Sequence, residues 1–367
     1  MSRVAIASIN IDALKHNVSV VKKAAPNSKI LAVVKANAYG HGLLEITNAL
    51  QDVDGFAVAH FEEAVKVREA HPEKVVVLLQ GFSDEIELTL LLSQNIQPVI
   101  HSSFQIDLLE KVAAQNPSEK FSIWLKIDTG MHRLGIMPKD VQSAWQRLTG
   151  LTNFSGNIKV MSHLANADKV AHPNNDVQFE LFQNLTEDIP AEKSLSNSAG
   201  LLAKKKYHFD WVRPGIMLYG ASPFTYGSAE DNDLKPVMRL TSRIIAINGI
   251  KKGETVGYGS CWTPEKDTTI VVVGIGYGDG YPRQLEENTP VLISGNRFPI
   301  VGRVSMDMIC VDVGETNNFA IGDEVLLWGE GLPVDEIAEK ASTIAYELLC
   351  RVTARVKYQY ENSIVDE

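Results

Sequence analysis

Between residues 30 and 214 the chain alternates short apolar, β-branched runs with segments of helical periodicity, and few folds accept that rhythm. The strand candidates are Ile30–Lys35, Gly55–His60, Lys74–Gln80, Gln97–His101, Ser122–Asp128, Ile158–His163, Ser194–Asn197 and Asp210–Pro214. Glu62–Ala70, Asp84–Leu92, Phe104–Ala113, Asp140–Leu148 and Asp176–Leu185 between them carry helical periodicity. Eight βα units close a TIM-type barrel, whose strands are covered on both faces. The competing arrangement is an open doubly wound sheet, but no GxGxxG follows the first strand. Ahead of the barrel, Asn10 is placed to cap a helix with Ile11, Leu14, Val18 and Val21 on one face, and Pro26-Asn27 stops it.

Reactive side chains fall where a barrel would use them. Lys35, His60, Gln80, His101, Lys126, Asp128, His163, Asn197 and Arg213 all end proposed strands, on the face where barrel enzymes build their sites. Lys35 is the most informative. It follows Ile30-Leu31-Ala32-Val33-Val34 and precedes Ala36-Asn37-Ala38-Tyr39-Gly40-His41-Gly42, with a helical pattern starting near Leu43. Apolar neighbours desolvate an ammonium and free the amine, which can then form a Schiff base with an aldehyde cofactor. The bland alternative is a lysine that snorkels from the strand end into solvent.

Two more stretches are dense in chemistry. Lys126-Ile127-Asp128-Thr129-Gly130-Met131-His132-Arg133-Leu134-Gly135 ends a strand on a lysine and an aspartate, then offers Arg133 to a carboxylate; a plain Lys–Asp surface pair is its structural reading. Arg213-Pro214-Gly215-Ile216 can present backbone N–H groups to a phosphate near the last strands, with Asn197-Ser198 adding a hydroxyl; otherwise Gly215 is a turn residue.

After Asp233 the pattern changes to successive short strands with Gly-rich turns: Arg243–Ile247, Thr269–Ile275, Pro290–Ser294, Pro299–Val301, Val304–Val313 and Glu324–Leu327. Ser294-Gly295-Asn296 reads as a hairpin turn, Val334–Leu349 as one helix, and Thr353–Tyr360 as a closing strand. The expected organisation is therefore an N-terminal (β/α)8 TIM-type barrel over residues 1–233 and a mainly β C-terminal domain over 234–367, joined near Ser222–Leu234. Gly257-Tyr258-Gly259 displays a tyrosine on a tight turn of the second domain. Ser305-Met306-Asp307 interrupts an alternating strand there, and the Gly-rich Gly274–Tyr281 resembles a nucleotide loop only superficially.

A net charge of −10 argues against nucleic-acid and anionic-membrane partners. Cys261, Cys310 and Cys350 form no CxxC pair, so neither a disulfide framework nor a metal site is expected, and free thiols fit a reducing cytoplasm. Residues 1–10 lack the pattern of a signal peptide, and the apolar runs are too short to span a bilayer.

These motifs together resemble the alanine racemase family of fold-type III pyridoxal-phosphate enzymes. The resemblance runs from the first barrel helix almost to the C-terminus. It is carried by Ala32–Gly42, Lys126–Gly135, Arg213-Pro214-Gly215, Gly257-Tyr258-Gly259 and Ser305-Met306-Asp307. It implies an isomerase that interconverts L-alanine and D-alanine with two bases and supplies D-alanine for peptidoglycan, or a pyridoxal-phosphate racemase of broader amino-acid specificity. Lys35 would hold pyridoxal 5'-phosphate and serve as base on one face of the substrate carbon, Tyr258 on the other. His163, tied to Arg213, would give the phenol cationic help, and Arg213 would donate to the pyridine nitrogen. Tyr39, Ser198, Gly215, Ile216 and Tyr346 match phosphate-binding positions. Arg133 and the Met306 N–H match substrate-carboxylate contacts, and Tyr277, Arg283, Arg303 and Ile344 match positions that narrow the entrance. Lys126 matches a lysine that is carbamylated in many members. A cytoplasmic homodimer with shared sites is expected, with Tyr258 supplied to the partner subunit. Two other classes compete. A non-enzymatic pyridoxal-phosphate carrier would resemble the barrel alone, and a decarboxylase of the same fold type would lack this wording around Lys35 and Tyr258.

Overall fold

The structure is a computed structural model that describes residues 5–116, 118, 120–151, 153, 158–315 and 318–361; the ends of both expected domains, 1–4 and 362–367, lie outside these. The chain begins with β1 (Ile6–Asn10), followed by helix Ile11–Ala24. Asn10 caps that helix by accepting the Ala13 N–H at 2.9 Å, and Leu14, Val18 and Val21 are buried as the periodicity required.

Eight parallel strands then close a barrel. They are β2 (Lys29–Val33), β3 (Gly55–Val58), β4 (Val75–Leu78), β5 (Gln97–Ile100), β6 (Ile123–Lys126), β7 (Ile158–Met161), β8 (Lys193–Ser194) and β9 (Trp211–Val212). Closure runs through β2 and β9, where Lys29 pairs with Trp211 and Ile30 with Val212. Helices Phe61–Ala70, Glu85–Ser93, Ser103–Gln115, Val141–Thr149 and Asn174–Thr186 cover the outside. The interior is packed: Leu31, Phe56, Val77, Trp124 and Val160 are all fully buried. Each such side chain contributes about 1.5–3 kcal/mol by leaving water. Trp124 meets Trp211 edge-on at 5.6 Å, and its indole N–H is satisfied by Gln97 Oε1 at 2.9 Å.

The strand expected to end on Lys35 ends at Val33 instead, and Lys35 opens a single turn of left-handed helix. Ala36, Asn37, Ala38 and Tyr39 have φ between 52° and 55° and ψ between 40° and 53°. L-residues lose roughly 1–2 kcal/mol each in this conformation, or about 4–8 kcal/mol for the turn. The loss is smallest where Cβ carries nothing more and where an asparagine can bond locally. Several hydrogen bonds of about 1 kcal/mol each offset it. The Ala38 N–H donates to Val34 O at 2.8 Å, His41 N–H to Ala38 O at 3.1 Å, Gly42 N–H to Asn37 O at 3.1 Å, and Leu43 N–H to Asn37 Oδ1 at 2.9 Å. His41 Nδ1 donates to Tyr39 O at 2.9 Å. Gly40 closes the turn at φ 81°, and a Cβ there would lie 2.1 Å from Leu349 O. Only glycine lets the turn meet the backbone of the second half of the chain so closely.

That half is an eight-stranded sheet ordered β11-β14-β13-β12-β15-β10-β1-β16, with β10 also pairing β11 so that six strands close on themselves. Its strands are β10 (Met238–Ile250), β11 (Thr268–Val273), β12 (Pro290–Ile293), β13 (Asn296–Val301), β14 (Ile309–Gly314), β15 (Glu324–Trp328) and β16 (Lys357–Glu361). Ser294 and Gly295 turn the β12–β13 hairpin with φ 49° and 78°.

The sequence expectation fails here in three places. The opening segment contains β1, which lies antiparallel to β10 and parallel to β16 and so belongs to this sheet. Strand β14 starts at Ile309, so Ser305-Met306-Asp307 lies in a loop rather than in the strand. The Ser305 hydroxyl bonds Met308 O at 2.7 Å and also accepts the Met308 N–H at 3.1 Å, which folds the segment into a tight turn. The single helix over 334–349 is two, Val334–Lys340 and Ala345–Arg351, because Ser342 sits at φ 52° and the Thr343 N–H returns to Ala338 O at 2.9 Å.

Candidate active site

A cavity of about 370 Å³ opens at the C-terminal mouth of the barrel. Of the strand-end residues, Lys35, Gln80, Lys126, His163, Asn197 and Arg213 line it, whereas His60, His101 and Asp128 do not. Tyr39, Arg133, Ser198, Gly215, Ile216 and Tyr346 join them. The wall thus holds four cationic side chains, from Lys35, Lys126, Arg133 and Arg213, and not one carboxylate. Such a wall is built for anions.

The cations depress one another. Burial, then the Arg133 guanidinium, lowers the Lys35 pKa, which makes its neutral amine accessible. Lys126 is pushed down to about 8 by burial and then by Arg213 and Arg133. The expected Lys126–Asp128 pair is absent: no carboxylate lies within 4.0 Å of the Lys126 ammonium among the described residues. Asp128 Oδ1 accepts instead the N–H groups of Gly130, Met131 and His132 at 2.9, 3.1 and 3.1 Å, an arrangement that shapes the loop carrying Arg133. Arg133 itself has no ion-pair partner among the described residues and is free to meet a ligand.

Arg213 is fixed from behind. One terminal nitrogen donates to Ser194 Oγ, and the other to Ser162 O at 2.5 Å and Leu195 O at 3.2 Å. Burial lowers its pKa to about 10. The second nitrogen also reaches His163 Nδ1 at 3.3 Å. A guanidinium can only donate, so Nδ1 accepts and a neutral His163 carries its proton on Nε2. Burial and four surrounding cations keep the imidazole well below its usual range. In this arrangement His163 is a neutral imidazole polarised by the Arg213 guanidinium. Ser162 and Ser194 were not singled out in the sequence; their signal was the same as for the rest, a polar residue at a barrel strand end.

At the other pole, Ser198 Oγ accepts the Gly215 N–H at 2.8 Å, and a Cβ at Gly215 would lie 2.6 Å from Tyr39 Oη. Tyr39 stacks on Tyr219 at 4.8 Å and tilts against Tyr346 at 5.9 Å. Burial holds the Tyr39 and Tyr346 phenols as neutral donors, the second pushed up to about 12. Three hydroxyls and a close-packed glycine are what a phosphate requires, and Lys35 is the one primary amine beside them with a depressed pKa other than Lys126. The residues fit pyridoxal phosphate: an amine for the aldehyde, a guanidinium for the ring nitrogen and donors for the phosphate.

Tyr258 and Met306 are not brought into this cavity. Tyr258 is 71% exposed and Met306 52% exposed, each on a loop of the second sheet. Gly257 and Gly259 flank the tyrosine at φ 76° and 74°, a backbone conformation that favours glycine. The Met306 loop is tied to the next one by the Tyr277 N–H to Ser305 O at 3.0 Å and the Gly278 N–H to Met306 O at 2.8 Å. Cys261, Cys310 and Cys350 are all free thiols.

The chain matches the family models for the alanine racemase N-terminal domain over residues 9–223 and C-terminal domain over 237–360. It is 48% identical to alanine racemase of Aliivibrio salmonicida across 97% of this chain and 99% of that protein. The crystal structure of the biosynthetic alanine racemase from Pseudomonas aeruginosa superposes with a TM-score of 0.94 at 41% identity, covering 98% of this chain and 99% of that one. The structure of the Bartonella henselae alanine racemase with covalently bound pyridoxal phosphate superposes with a TM-score of 0.90 at 32% identity, covering 98% and 99%.

Proposed function

The chain belongs to the alanine racemase family, and we propose from that membership and the cavity how it interconverts L-alanine and D-alanine. It is a pyridoxal-phosphate-dependent isomerase. The observation that carries the assignment of roles is the wall of four cations without a carboxylate, which suits a phosphate at one end and an amino-acid carboxylate at the other.

When bound, pyridoxal phosphate supplies an electron-withdrawing ring conjugated to the substrate nitrogen, which acidifies the α C–H. Lys35 would hold it, Arg213 would donate to its ring nitrogen, and Tyr39, Ser198, Gly215, Ile216 and Tyr346 would hold its phosphate. A guanidinium with a pKa near 10 keeps its proton at neutral pH, so Arg213 would hydrogen-bond the ring nitrogen without protonating it, which would moderate electron withdrawal and limit side reactions. Arg133 and the backbone N–H of Met306 would take the substrate carboxylate.

Inversion requires a proton to leave one face of the carbon and return on the other. Lys35 Nζ serves one face in this reading and Tyr258 Oη the other. An ordinary phenol, at a pKa of about 10, is a poor base near neutrality; the His163 Nε2–H, polarised by Arg213, would stabilise its anion. Because Tyr258 and Met306 are exposed on their own chain, the reading assigns the enzyme to a homodimer in which they serve the partner subunit's cavity. Residues 1–233, joined by Tyr346 from the second half of the same chain, would bind the cofactor, and residues 234–367 would supply Tyr258 to the partner subunit. No helix among the described residues is long and apolar enough to cross a membrane. The free thiols fit a cytoplasmic enzyme, and by family resemblance it would supply D-alanine for peptidoglycan. The holoenzyme incubated with a panel of L-amino acids should form D-alanine fastest and release no carbon dioxide. Faster turnover of serine would favour the broader-specificity racemase, and carbon dioxide release would favour a decarboxylase.

Lys126 gives a further expectation. With its pKa at about 8, about one molecule in ten carries the neutral amine at pH 7, against about one in a few thousand for an ordinary lysine. Neutral amine is the form that reacts with carbon dioxide. A carbamate there would replace a cation by an anion and hold Arg133 by charge-assisted bonds. The sign follows: a lysine pKa lowered on folding costs stability below that pKa, and the cost disappears as pH rises through the ordinary value. Modification removes it at neutral pH. Protein in 13C-bicarbonate should therefore show a carbamate carbon resonance that grows as pH rises toward 8 and is missing in Lys126→Ala. That variant should have a roughly tenfold higher KM for alanine, partly restored by a small added carboxylate. No resonance in the unsubstituted protein would leave Lys126 a plain cation.

A further inference from the structure

Glu63 is a carboxylate at the barrel mouth that the reaction as derived leaves without a task. It lies in the first turn of helix Phe61–Ala70, yet it does not cap that helix, whose N-cap His60 makes no side-chain cap bond. Its Oε1 reaches across to the left-handed turn and accepts the Asn37 N–H at 2.8 Å, while Oε2 is buried with no hydrogen-bond partner. A buried carboxylate oxygen without a partner is unfavourable, so the contact that Oε1 makes must justify the placement. Asn37 is pinned at three points: its carbonyl takes the Gly42 N–H and its side chain the Leu43 N–H, and Glu63 holds its backbone N–H from the barrel side. Two residues upstream is Lys35.

We propose that Glu63 is a positioning residue for Lys35, clamping the Asn37 N–H so that the left-handed turn keeps one geometry and Lys35 Nζ enters the cavity from one direction. The proposal rests on Lys35 being the cofactor lysine and base. The field acts in the same sense. Lys35 faces Arg133 from the loop after β6, Cys350 from helix Ala345–Arg351 and Glu63 from helix Phe61–Ala70, and the carboxylate opposes the guanidinium. Glu63 thus supplies a negative charge that favours the protonated amine against the pull of Arg133.

Glu63→Ala, Glu63→Gln and Glu63→Asp holoenzymes test this by amide hydrogen exchange over Val34–Gly42 together with kcat and KM for each enantiomer. In Glu63→Ala the Asn37 amide should exchange at least tenfold faster and kcat should fall at least tenfold. KM for alanine should change less than twofold, because Arg133 and Met306 lie on other elements. Glu63→Gln keeps an acceptor at the same reach and should restore both protection and most of kcat; Glu63→Asp is one methylene short and should not. Retention of kcat within twofold in Glu63→Ala, or a loss confined to KM, overturns the proposal. So does equal impairment of Gln and Asp variants, the comparison that decides if Glu63→Ala does not fold. Borohydride labelling of a lysine other than Lys35 would refute the reading beneath it, and leaves the Asn37 exchange result standing.

Discussion

Lys35→Ala is expected to give a folded protein with no covalently held cofactor and with racemisation reduced by at least about 10⁴. Loss of a positioned base alone accounts for roughly 10²–10⁴, and the cofactor linkage is lost with it. Folding should survive. The Lys35 ammonium is disfavoured by burial and by Arg133, so its removal takes a poorly solvated charge out of a cationic wall. Compared with the unsubstituted protein stripped of cofactor, the thermal midpoint should stay level or rise. Borohydride reduction of the unsubstituted holoenzyme, followed by peptide mapping, should label Lys35. Label on Lys126, the other amine of the cavity, would show that the roles had been exchanged.

Tyr258→Phe should slow the two directions unequally. In the proposed mechanism Lys35 and Tyr258 work on opposite faces, Lys35 taking the proton of D-alanine and Tyr258 that of L-alanine. Exchange of the L-alanine α-proton for solvent deuterium should drop by roughly 10²–10⁴, with a much smaller drop for D-alanine. Equal losses would contradict a one-face role. Because Tyr258 is 71% exposed on its own chain and absent from its own cavity, the defect should also be complementable. If the proposed homodimer shares its sites, mixing Lys35→Ala with Tyr258→Phe protomers would create heterodimers with one of two sites intact, so part of the activity should return. No recovery, with subunit exchange demonstrated by mass, would place both bases in one chain.

The barrel was legible because parallel strands are buried on both faces and so leave unbroken apolar runs, as in Leu31–Val34 and Val75–Leu78. Most strand-end side chains were legible for the same reason: polarity after such a run marks the mouth. The left-handed turn was not. Lys-Ala-Asn-Ala-Tyr-Gly has the composition of either helical hand, and what selects the hand lies far along the chain, at Glu63 and at the Leu349 backbone beneath Gly40. Strand β1 was missed because its five residues take their partners from 238–241 and 357–361. The strand over Val304–Val313 was read too long because a serine hydroxyl turned the backbone where the apolar alternation still ran on. The charge state of His163 and Lys126 depends on cations from several different loops, which no local pattern contains.

The placement of β1 between β10 and β16 has a consequence for biosynthesis. Residues 6–10 leave the ribosome before any barrel strand, but their neighbours are β10, from Met238, and β16, which ends at Glu361. At about 5–20 residues per second, the earliest strand waits roughly ten to fifty seconds for its first neighbour, while all eight barrel strands can already pair. A polypeptide grown past Val212 therefore carries a complete set of barrel strands and a β1 segment with unpaired backbone groups. Such a segment is a target for a chaperone during translation.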